Sequence, residues 1–349
     1  MRHVFLAIAS AMIVAIAGCG GGGSDVATTA GIDSSEPSTT EITFESGDFT
    51  LVGDLDLPGG PGPHPALALG HSSRPQTRQS TPTSGVVKAK YLDAGYAVLS
   101  WDKPGSGDST GQFDNEFANT ERATIVVDAL EFLREQPTVD PDRIGVWGLS
   151  EAGWVMPMAL EMTDDISFMI VVNGGGEDGI EQMVYQWMQR ARCAGASDEE
   201  LALMEQHGAP ALKATTYTEY RAAMEPLLTI PSLSRYVGTT IELQAEEDWS
   251  SWPRDIDAFF DPMDVIEKAP IPILAIFSAQ DIQVDPVQGA EAYRAAFAHA
   301  NNTASRVEVI PDVGHTLLPS TNGCDTEGSG LPDRYGEILD EWIPLLAGR

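Results

Sequence analysis

Hydrophobic positions along this chain change their period several times, and each change marks an element. Glu41-Ile42-Thr43-Phe44 and Phe49-Thr50-Leu51-Val52-Gly53-Asp54-Leu55-Asp56-Leu57 alternate apolar with polar residues, which predicts an antiparallel pair of half-buried strands. Short apolar runs then recur at Ala66-Leu67-Ala68-Leu69, Arg143-Ile144-Gly145-Val146-Trp147, Phe168-Met169-Ile170-Val171-Val172, Ile271 to Ser278 and Ser305 to Ile310. Helical patterns separate them. The segment from Phe117 to Gln136, for example, puts Val126, Leu130 and Leu133 on one face and so predicts a core helix. Strands and helices that take turns predict an α/β chain with a mostly parallel sheet covered by helices on both faces. Between Val172 and Ile271 the alternation stops. Helical patterns at Ile180 to Ala194, Asp198 to His207 and Thr218 to Leu228 fill that gap and predict a helical insertion.

The N-terminus has a different character. Met1-Arg2-His3 is positively charged, Val4 to Ala17 is apolar but too short for a comfortable membrane span, and Ile16-Ala17-Gly18-Cys19 resembles a bacterial lipobox. The expectation is a lipoprotein signal over 1–19 with Cys19 lipidated; ordinary secretory cleavage near the same place is the alternative. A Gly/Ser/Thr-rich stretch follows, expected to be a disordered tether over 20–40 with a root-mean-square reach of about 25 Å. That assignment leaves an α/β core over 41–176 and 263–349, and a helical lid over 177–262.

Charge narrows the partners. With 52 acidic residues against 20 basic ones, the net charge is −32, which argues against a nucleic-acid partner and against adhesion to anionic lipid headgroups. Membrane contact is therefore expected through the N-terminal anchor only. Cys193 and Cys324 are the cysteines left after Cys19. In an oxidising compartment they either pair, tying the insertion to the C-terminal region, or stay as separate thiols. No cysteine and histidine cluster has zinc spacing, so no metal is expected. Gly105-Ser106-Gly107 lacks a third glycine at dinucleotide spacing and reads as a turn, so no cofactor is expected either.

Candidate chemistry begins at Gly148-Leu149-Ser150-Glu151-Ala152-Gly153, set between an apolar run and a helical pattern. Strand, sharp turn and helix is the context that strains a serine and lifts its hydroxyl above a sheet edge. Ala152 occupies the last glycine position of G-x-S-x-G, with Gly153 one residue later. A serine nucleophile needs a base, and the base needs an acid to orient it. The loop after the run ending at Ser278 offers Asp281 and Asp285. Asp285 precedes Pro286 and a helical pattern, as an N-cap does, which leaves Asp281 as the candidate acid. Pro311-Asp312-Val313-Gly314-His315 follows the last apolar run and supplies His315 as the candidate base. Among the six histidines, His3 lies in the targeting segment, His64 in a Pro/Gly turn, and His207 and His299 in helical stretches. His71 follows an early strand and suits an oxyanion loop.

Ser150, Asp281 and His315 occur in the chain order of α/β-hydrolases. The sequence resembles a bacterial α/β-hydrolase of the esterase type, in which an H-G-S-G-P-Q-D-R-like loop precedes the nucleophile. Here that loop reads His71-Ser72-Ser73-Arg74-Pro75-Gln76-Thr77-Arg78, with Ser72 and Arg74 in place of glycines. Gly95 to Ser109 and Pro270 to His315 extend the likeness. The resemblance implies the α/β-hydrolase fold, an oxyanion hole made by the backbone N–H groups of Glu151 and Ser73, and cleavage of a small-molecule carboxylic ester through an acyl-enzyme. A peptidase using the same triad is the alternative, with Glu177, Asp178 or Glu181 receiving an α-amine. A non-catalytic surface lipoprotein on the same scaffold is the third reading. Glu151's carboxylate is expected to pair with a loop arginine, and Asp102, Lys103 and Asp108 to form turns and ion pairs. Tyr185, Trp187, Met188, Trp249 and Trp252 of the insertion line an acyl pocket or form the insertion's own core.

Overall fold

A computed structural model describes residues 36–79, 81–113, 118–252 and 257–347. Cys19, the signal segment and most of the expected tether lie outside the described residues.

The chain opens with β1 (Ser38–Ser46) and β2 (Phe49–Leu57), paired antiparallel from Ser38↔Leu57 to Ser46↔Phe49. The tether expected over 20–40 is corrected here, because β1 takes Ser38, Thr39 and Thr40 into the sheet. Leu57, Asp56 and Leu55 supply the partners that hold them there, and Thr39 Oγ1 donates to Asp56 Oδ1 at 2.5 Å. β3 (His64–Leu69), β4 (Ala97–Trp101), β5 (Val139–Leu149), β6 (Phe168–Val172), β7 (Ile273–Ser278) and β8 (Arg306–Ile310) complete an eight-stranded sheet. Its order is β1-β2-β4-β3-β5-β6-β7-β8, with β2 antiparallel to β4 and every later pair parallel. His64 opens β3 and is buried, rather than sitting in a turn.

Helices cover both faces, so β4, β6 and β7 are buried along their whole length and read as unbroken apolar runs. One face packs against α2 (Asn119–Arg134), α3 (Ala152–Met162) and α9 (Pro286–His299). Val126, Leu130 and Leu133 lie in that core, as their spacing predicts. The opposite face packs against α1 (Pro82–Asp93) and α10 (Asp333–Leu346). Tyr335, Ile338, Leu339, Trp342, Ile343 and Leu346 form the buried stripe of α10 at three- and four-residue spacing. Each such side chain removed from water contributes roughly 1.5–3 kcal/mol.

Between β6 and β7 the chain forms α4 (Gly179–Cys193), α5 (Asp198–Leu212), α6 (Tyr217–Leu227), α7 (Leu233–Val237) and α8 (Met263–Ile266). Their starts are written in the sequence. Asp178 caps α4 by accepting from the Ile180 and Glu181 amides, while Ser197 with Glu200 and Thr216 with Glu219 form capping boxes on α5 and α6. Met204, Tyr220, Met224 and Leu227 form a core of their own, with Trp187, Met188 and Trp249 packed against it. A cavity of about 450 Å³ lies among Trp187, Met204, Tyr220, Met224, Trp249 and Trp252. The insertion and the sheet nevertheless belong to one compact unit, Ser34–Arg349.

Cys193, at the end of α4, is bonded to Cys324, in the segment between His315 and α10. The bridge spans 131 residues of sequence, a long loop whose closure restricts the unfolded chain strongly. Cys193→Ser is expected to lower stability by about 2–4 kcal/mol. Urea unfolding of wild type and variant, each with and without dithiothreitol, checks this; equal midpoints for oxidised wild type and variant would overturn it.

Candidate active site

The turn between β5 and α3 is set by contact distances that leave no room for side chains. Ser150 adopts φ +62, a left-handed conformation that costs a non-glycine residue about 1–3 kcal/mol. Neighbouring positions make it sustainable. A Cβ on Gly148 would lie 2.2 Å from the Ala152 Cβ, so the small side chain that replaces the motif's last glycine is accommodated by the bare residue four positions earlier. A Cβ on Gly153 would lie 2.2 Å from the carbonyl carbon of Gly174, and one on Gly174 would lie 2.2 Å from the Ser150 oxygen. Gly153 thus provides the close approach between α3 and the loop after β6. The Ser150 amide donates to the Val172 carbonyl at 2.8 Å and fixes the turn to β6.

Three side chains separated widely in sequence meet at that turn. His315 Nε2 lies 2.8 Å from Ser150 Oγ, and His315 Nδ1 lies 2.7 Å from Asp281 Oδ2. Asp281 is 3% exposed. Its second oxygen accepts from the Gln283 and Val284 amides at 2.7 and 3.1 Å, so a buried carboxylate has all its strong acceptor needs met. Asp285 is elsewhere engaged, capping α9 through the Val287 and Gln288 amides. Of the two aspartates, Asp281 is thus the one that the fold brings to His315.

Asn173 belongs to the site and the sequence reading missed it. It directly follows β6, is fully buried and adopts φ +49. Its amide nitrogen donates to Ser278 Oγ at 2.8 Å and to the His315 carbonyl at 2.6 Å, and its amide oxygen accepts from the Ser278 amide at 2.7 Å. One side chain thereby joins the ends of β6 and β7 to the backbone of the histidine. An asparagine before three glycines signals a turn and nothing more, since its partners lie 105 and 142 residues away.

Charged residues form a second layer around the turn. Glu151 pairs with Arg122, which lies on α2 and not on a loop, and with Lys103 Nζ at 3.3 Å. Lys103 Nζ also donates to the Ser72 carbonyl at 2.7 Å. Burial pulls the Lys103 ammonium down to about 8, opposed by the Glu151 carboxylate. His71 Nε2 faces the Trp101 carbonyl at 2.8 Å and must be the protonated nitrogen there. Burial, helped by Lys103, lowers His71 to about 4 and keeps it neutral. Asp102 accepts from the Arg78 and Asp108 amides and pairs with the Arg78 guanidinium. Gly107 at φ +54 stays bare because its Cβ would lie 2.1 Å from Asp102 Oδ2, which makes Gly105-Ser106-Gly107 the expected turn. Ser73 is exposed on the loop beside Ser72. Among the described residues, no group of three or more His, Cys, Asp or Glu side chains is arranged to hold a metal ion.

The insertion reaches the site through α4. Tyr185 Oη donates to the Asp281 carbonyl at 2.8 Å, and Gln182 and Gln186 bond to Gln283 at 2.7 and 3.2 Å. Tyr185 therefore braces the acid loop, whereas Trp187, Met188, Trp249 and Trp252 belong to the insertion's own clusters. Of the three acidic residues considered for amine recognition, Asp178 and Glu181 are both paired to Lys213, at 2.8 and 2.6 Å. Glu177 is half-buried, and its carbonyl accepts from the Trp154 indole at 2.8 Å. Burial, reinforced by Asp285, Glu181 and Asp178, pushes the Glu177 carboxyl up to about 7.

These two shifts act on stability in opposite directions. Glu177 binds its proton more tightly folded than unfolded, so its contribution is full below the ordinary 4.5 and is lost as pH rises through about 7. His71 binds its proton less tightly when folded, so its contribution is full above 6.5 and is lost as pH falls through about 4. Glu177→Gln is expected to raise the melting temperature relative to wild type at pH 8 and to leave it nearly unchanged at pH 5. Calorimetry at both pH values checks the difference, and an equal effect at both would refute the assignment.

The chain is similar to several known proteins. The family model for X-Pro dipeptidyl-peptidase (S15 family) matches residues 49–305. Thiohydrolase aneE of Aspergillus aculeatus is 32% identical over 117 residues, which are 32% of this chain and 36% of that protein. The chain thus matches about a third of the length of that curated relative. Among solved structures, the α/β hydrolase GrgF of Penicillium sp. sh18 superposes with a TM-score of 0.51 at 19% identity, covering 88% of this chain and 98% of that one. Est1E of Butyrivibrio proteoclasticus, bound to ferulic acid, gives 0.53 at 15% identity over 88% and 100% of the two chains. Porphyromonas gingivalis dipeptidyl peptidase 4 gives 0.51 at 14% identity, covering 89% of this chain and 35% of that one. At such identities the likeness speaks for the fold, which is that of the α/β-hydrolases.

Proposed function

The chain belongs to the X-Pro dipeptidyl-peptidase (S15) family, and within that family of hydrolases we propose that this protein cleaves carboxylic esters by a Ser-His-Asp acyl-enzyme mechanism. The observation that carries the reading is the unbroken relay from Ser150 Oγ through His315 to the buried Asp281, with contacts of 2.8 and 2.7 Å. His315 Nε2 takes the Ser150 proton as Oγ attacks the acyl carbon. Asp281 receives the Nδ1 proton in a hydrogen bond and stabilises the charged ring. The tetrahedral oxyanion is held by the Glu151 and Ser73 amides, His315 returns its proton to the leaving alcohol, and water then hydrolyses the acyl-enzyme by the same steps. Every component is a side chain or amide of this chain. A scaffold kept only to bind a partner has no need of this relay.

A second reading follows from the family and from Glu177. A peptidase that removes dipeptides needs a carboxylate for the substrate's α-amine, and Asp178 and Glu181 are occupied by Lys213. Glu177 is the remaining acid of the three. Burial and the neighbouring carboxylates push its carboxyl up to about 7, so its charged form is held less readily than an ordinary carboxylate's, which favours the ester reading.

We also propose that the protein works outside the cytoplasm, anchored through a lipid on Cys19. The Cys193–Cys324 bond supports export, since such bonds persist in oxidising compartments. The insertion over 177–262 is proposed to act as the lid of this site.

Full-length protein is to be assayed on p-nitrophenyl esters from acetyl to dodecanoyl and on Gly-Pro-p-nitroanilide. Ester turnover is expected to dominate and to fall on the order of 10³-fold or more in Ser150→Ala. Glu177→Gln is expected to leave ester turnover unchanged. Faster cleavage of the anilide, lost in Glu177→Gln, would replace the ester reading with the peptidase one.

A further inference from the structure

Lys103 sits between the two segments that supply the expected oxyanion donors. It is 3% exposed, and its ammonium has two acceptors in the structure, the Ser72 carbonyl at 2.7 Å and Glu151 Oε2 at 3.3 Å. The Phe113 ring lies 5.4 Å from the same nitrogen. Arg122 holds the other Glu151 oxygen, so the carboxylate is pinned from two sides. Removing a lysine from water costs several kcal/mol, and a buried lysine persists only where its contacts offset that cost.

The geometry of the peptide unit gives this contact its meaning. The bond between Ser72 and Ser73 is trans, because Gly62-Pro63 is the cis bond found among the described residues. In a trans peptide the carbonyl and the following N–H share a plane and point in opposite directions. Fixing the Ser72 oxygen therefore fixes the direction of the Ser73 N–H. The loop is braced further. Gln76 Oε1 accepts from the Ser72 amide at 3.0 Å, and the Lys103 amide donates to the Gln76 carbonyl at 2.9 Å. At its other contact the ammonium holds the side chain of Glu151, whose own amide is the second expected donor.

We propose that Lys103 is the positioning residue of the oxyanion hole, a single cation that sets the Ser73 and Glu151 N–H groups relative to each other. This rests on the reading of Ser150 as the nucleophile. Lys103 touches neither substrate nor reacting atoms; it acts through the two backbone donors. Donors aimed at a developing oxyanion act on the transition state and on tetrahedral adducts more than on bound substrate. Loss of Lys103 therefore lowers kcat and weakens tetrahedral adducts while leaving KM nearly unchanged. A purely structural lysine would lower stability without that split.

The test compares wild type, Lys103→Met, Lys103→Arg and Ser150→Ala, using a p-nitrophenyl ester as substrate and phenylboronic acid as the tetrahedral-adduct probe. Lys103→Met is expected to lose about ten- to hundredfold in kcat and a similar factor in boronate affinity, with KM within about threefold. Lys103→Arg, which keeps a donor and a charge, is expected to recover part of both. Unchanged kcat and boronate affinity in folded Lys103→Met, with Ser150→Ala inactive, overturns the role of Lys103 alone. Turnover retained in Ser150→Ala overturns the nucleophile reading instead. Should Lys103→Met fail to fold, a boronate-bound crystal structure of the wild type decides. One boron-bound oxygen within about 3.2 Å of both the Ser73 and Glu151 nitrogens, with Lys103 Nζ on the Ser72 carbonyl, supports the proposal. An oxygen held by other donors refutes it.

Discussion

The site depends on one backbone constraint, the left-handed conformation of Ser150. A serine does not hold that conformation by itself, and the surrounding contacts over-determine it. The amide of Ser150 is taken by Val172, Gly148 leaves space for the Ala152 methyl, and Gly153 lets α3 come against Gly174. These contacts tie the turn to β6. From the end of β6, Asn173 carries the same order to β7 and to the histidine loop. The position of Ser150 and the position of His315 are thus two consequences of how closely the C-terminal ends of β5, β6 and β7 pack.

Electrostatics adds a second constraint peculiar to so acidic a chain. With 52 acidic and 20 basic residues, cations are scarce, yet three of them stand in the layer around the turn. Arg78 holds Asp102, and Arg122 and Lys103 hold Glu151. Surface ion pairs contribute little, so a chain of this composition gains most by placing cations where burial makes a carboxylate expensive. Asp102 at 1% exposure and Glu151 beside the nucleophile are such places. His71 is lowered to about 4 by burial and by the same lysine, which keeps that loop free of a further positive charge.

What was legible in the sequence was local. Period-two alternation marked the β1–β2 pair, apolar runs marked the buried strands, and Asp285 before Pro286 announced a helix start that left Asp281 for the acid role. An α/β chain with a mostly parallel sheet follows from these, and the resemblance to bacterial esterases implied the α/β-hydrolase fold. Where the chain gave no local sign, the reading stopped short. β1 begins three residues earlier than its apolar pattern, because Ser38, Thr39 and Thr40 are held by backbone pairing with β2 and not by burial of their side chains. Asn173, Arg122 and Tyr185 meet partners 142, 29 and 96 residues away, and nothing in their immediate neighbours announces those contacts. Glu151 was expected to find a loop arginine. Its partner is on a helix because α2 packs along the same sheet face as α3 and brings its first turn to the elbow.

The helical insertion is bound to the core unevenly, and this limits how it can move. α4 is joined to the acid loop by the Tyr185, Gln182 and Gln186 hydrogen bonds and, at its C-terminal end, to the segment beyond His315 by a covalent bond. Swinging the whole insertion away as one body would break these hydrogen bonds and those that Thr120 donates to the Asp257 carboxylate, strain the disulfide and withdraw Tyr185 from the carbonyl of Asp281. Displacing α5, α6 and α7 about a stationary α4 breaks none of these. It costs instead the Lys213 ion pairs to Asp178 and Glu181 and the packing of α5 on α4, beside the cavity among Trp187, Tyr220 and Trp249, where void space means fewer contacts to lose. The same helix that closes over the acid loop is therefore the part of the insertion with the most to lose by moving, and the acid keeps its support whatever the outer helices do.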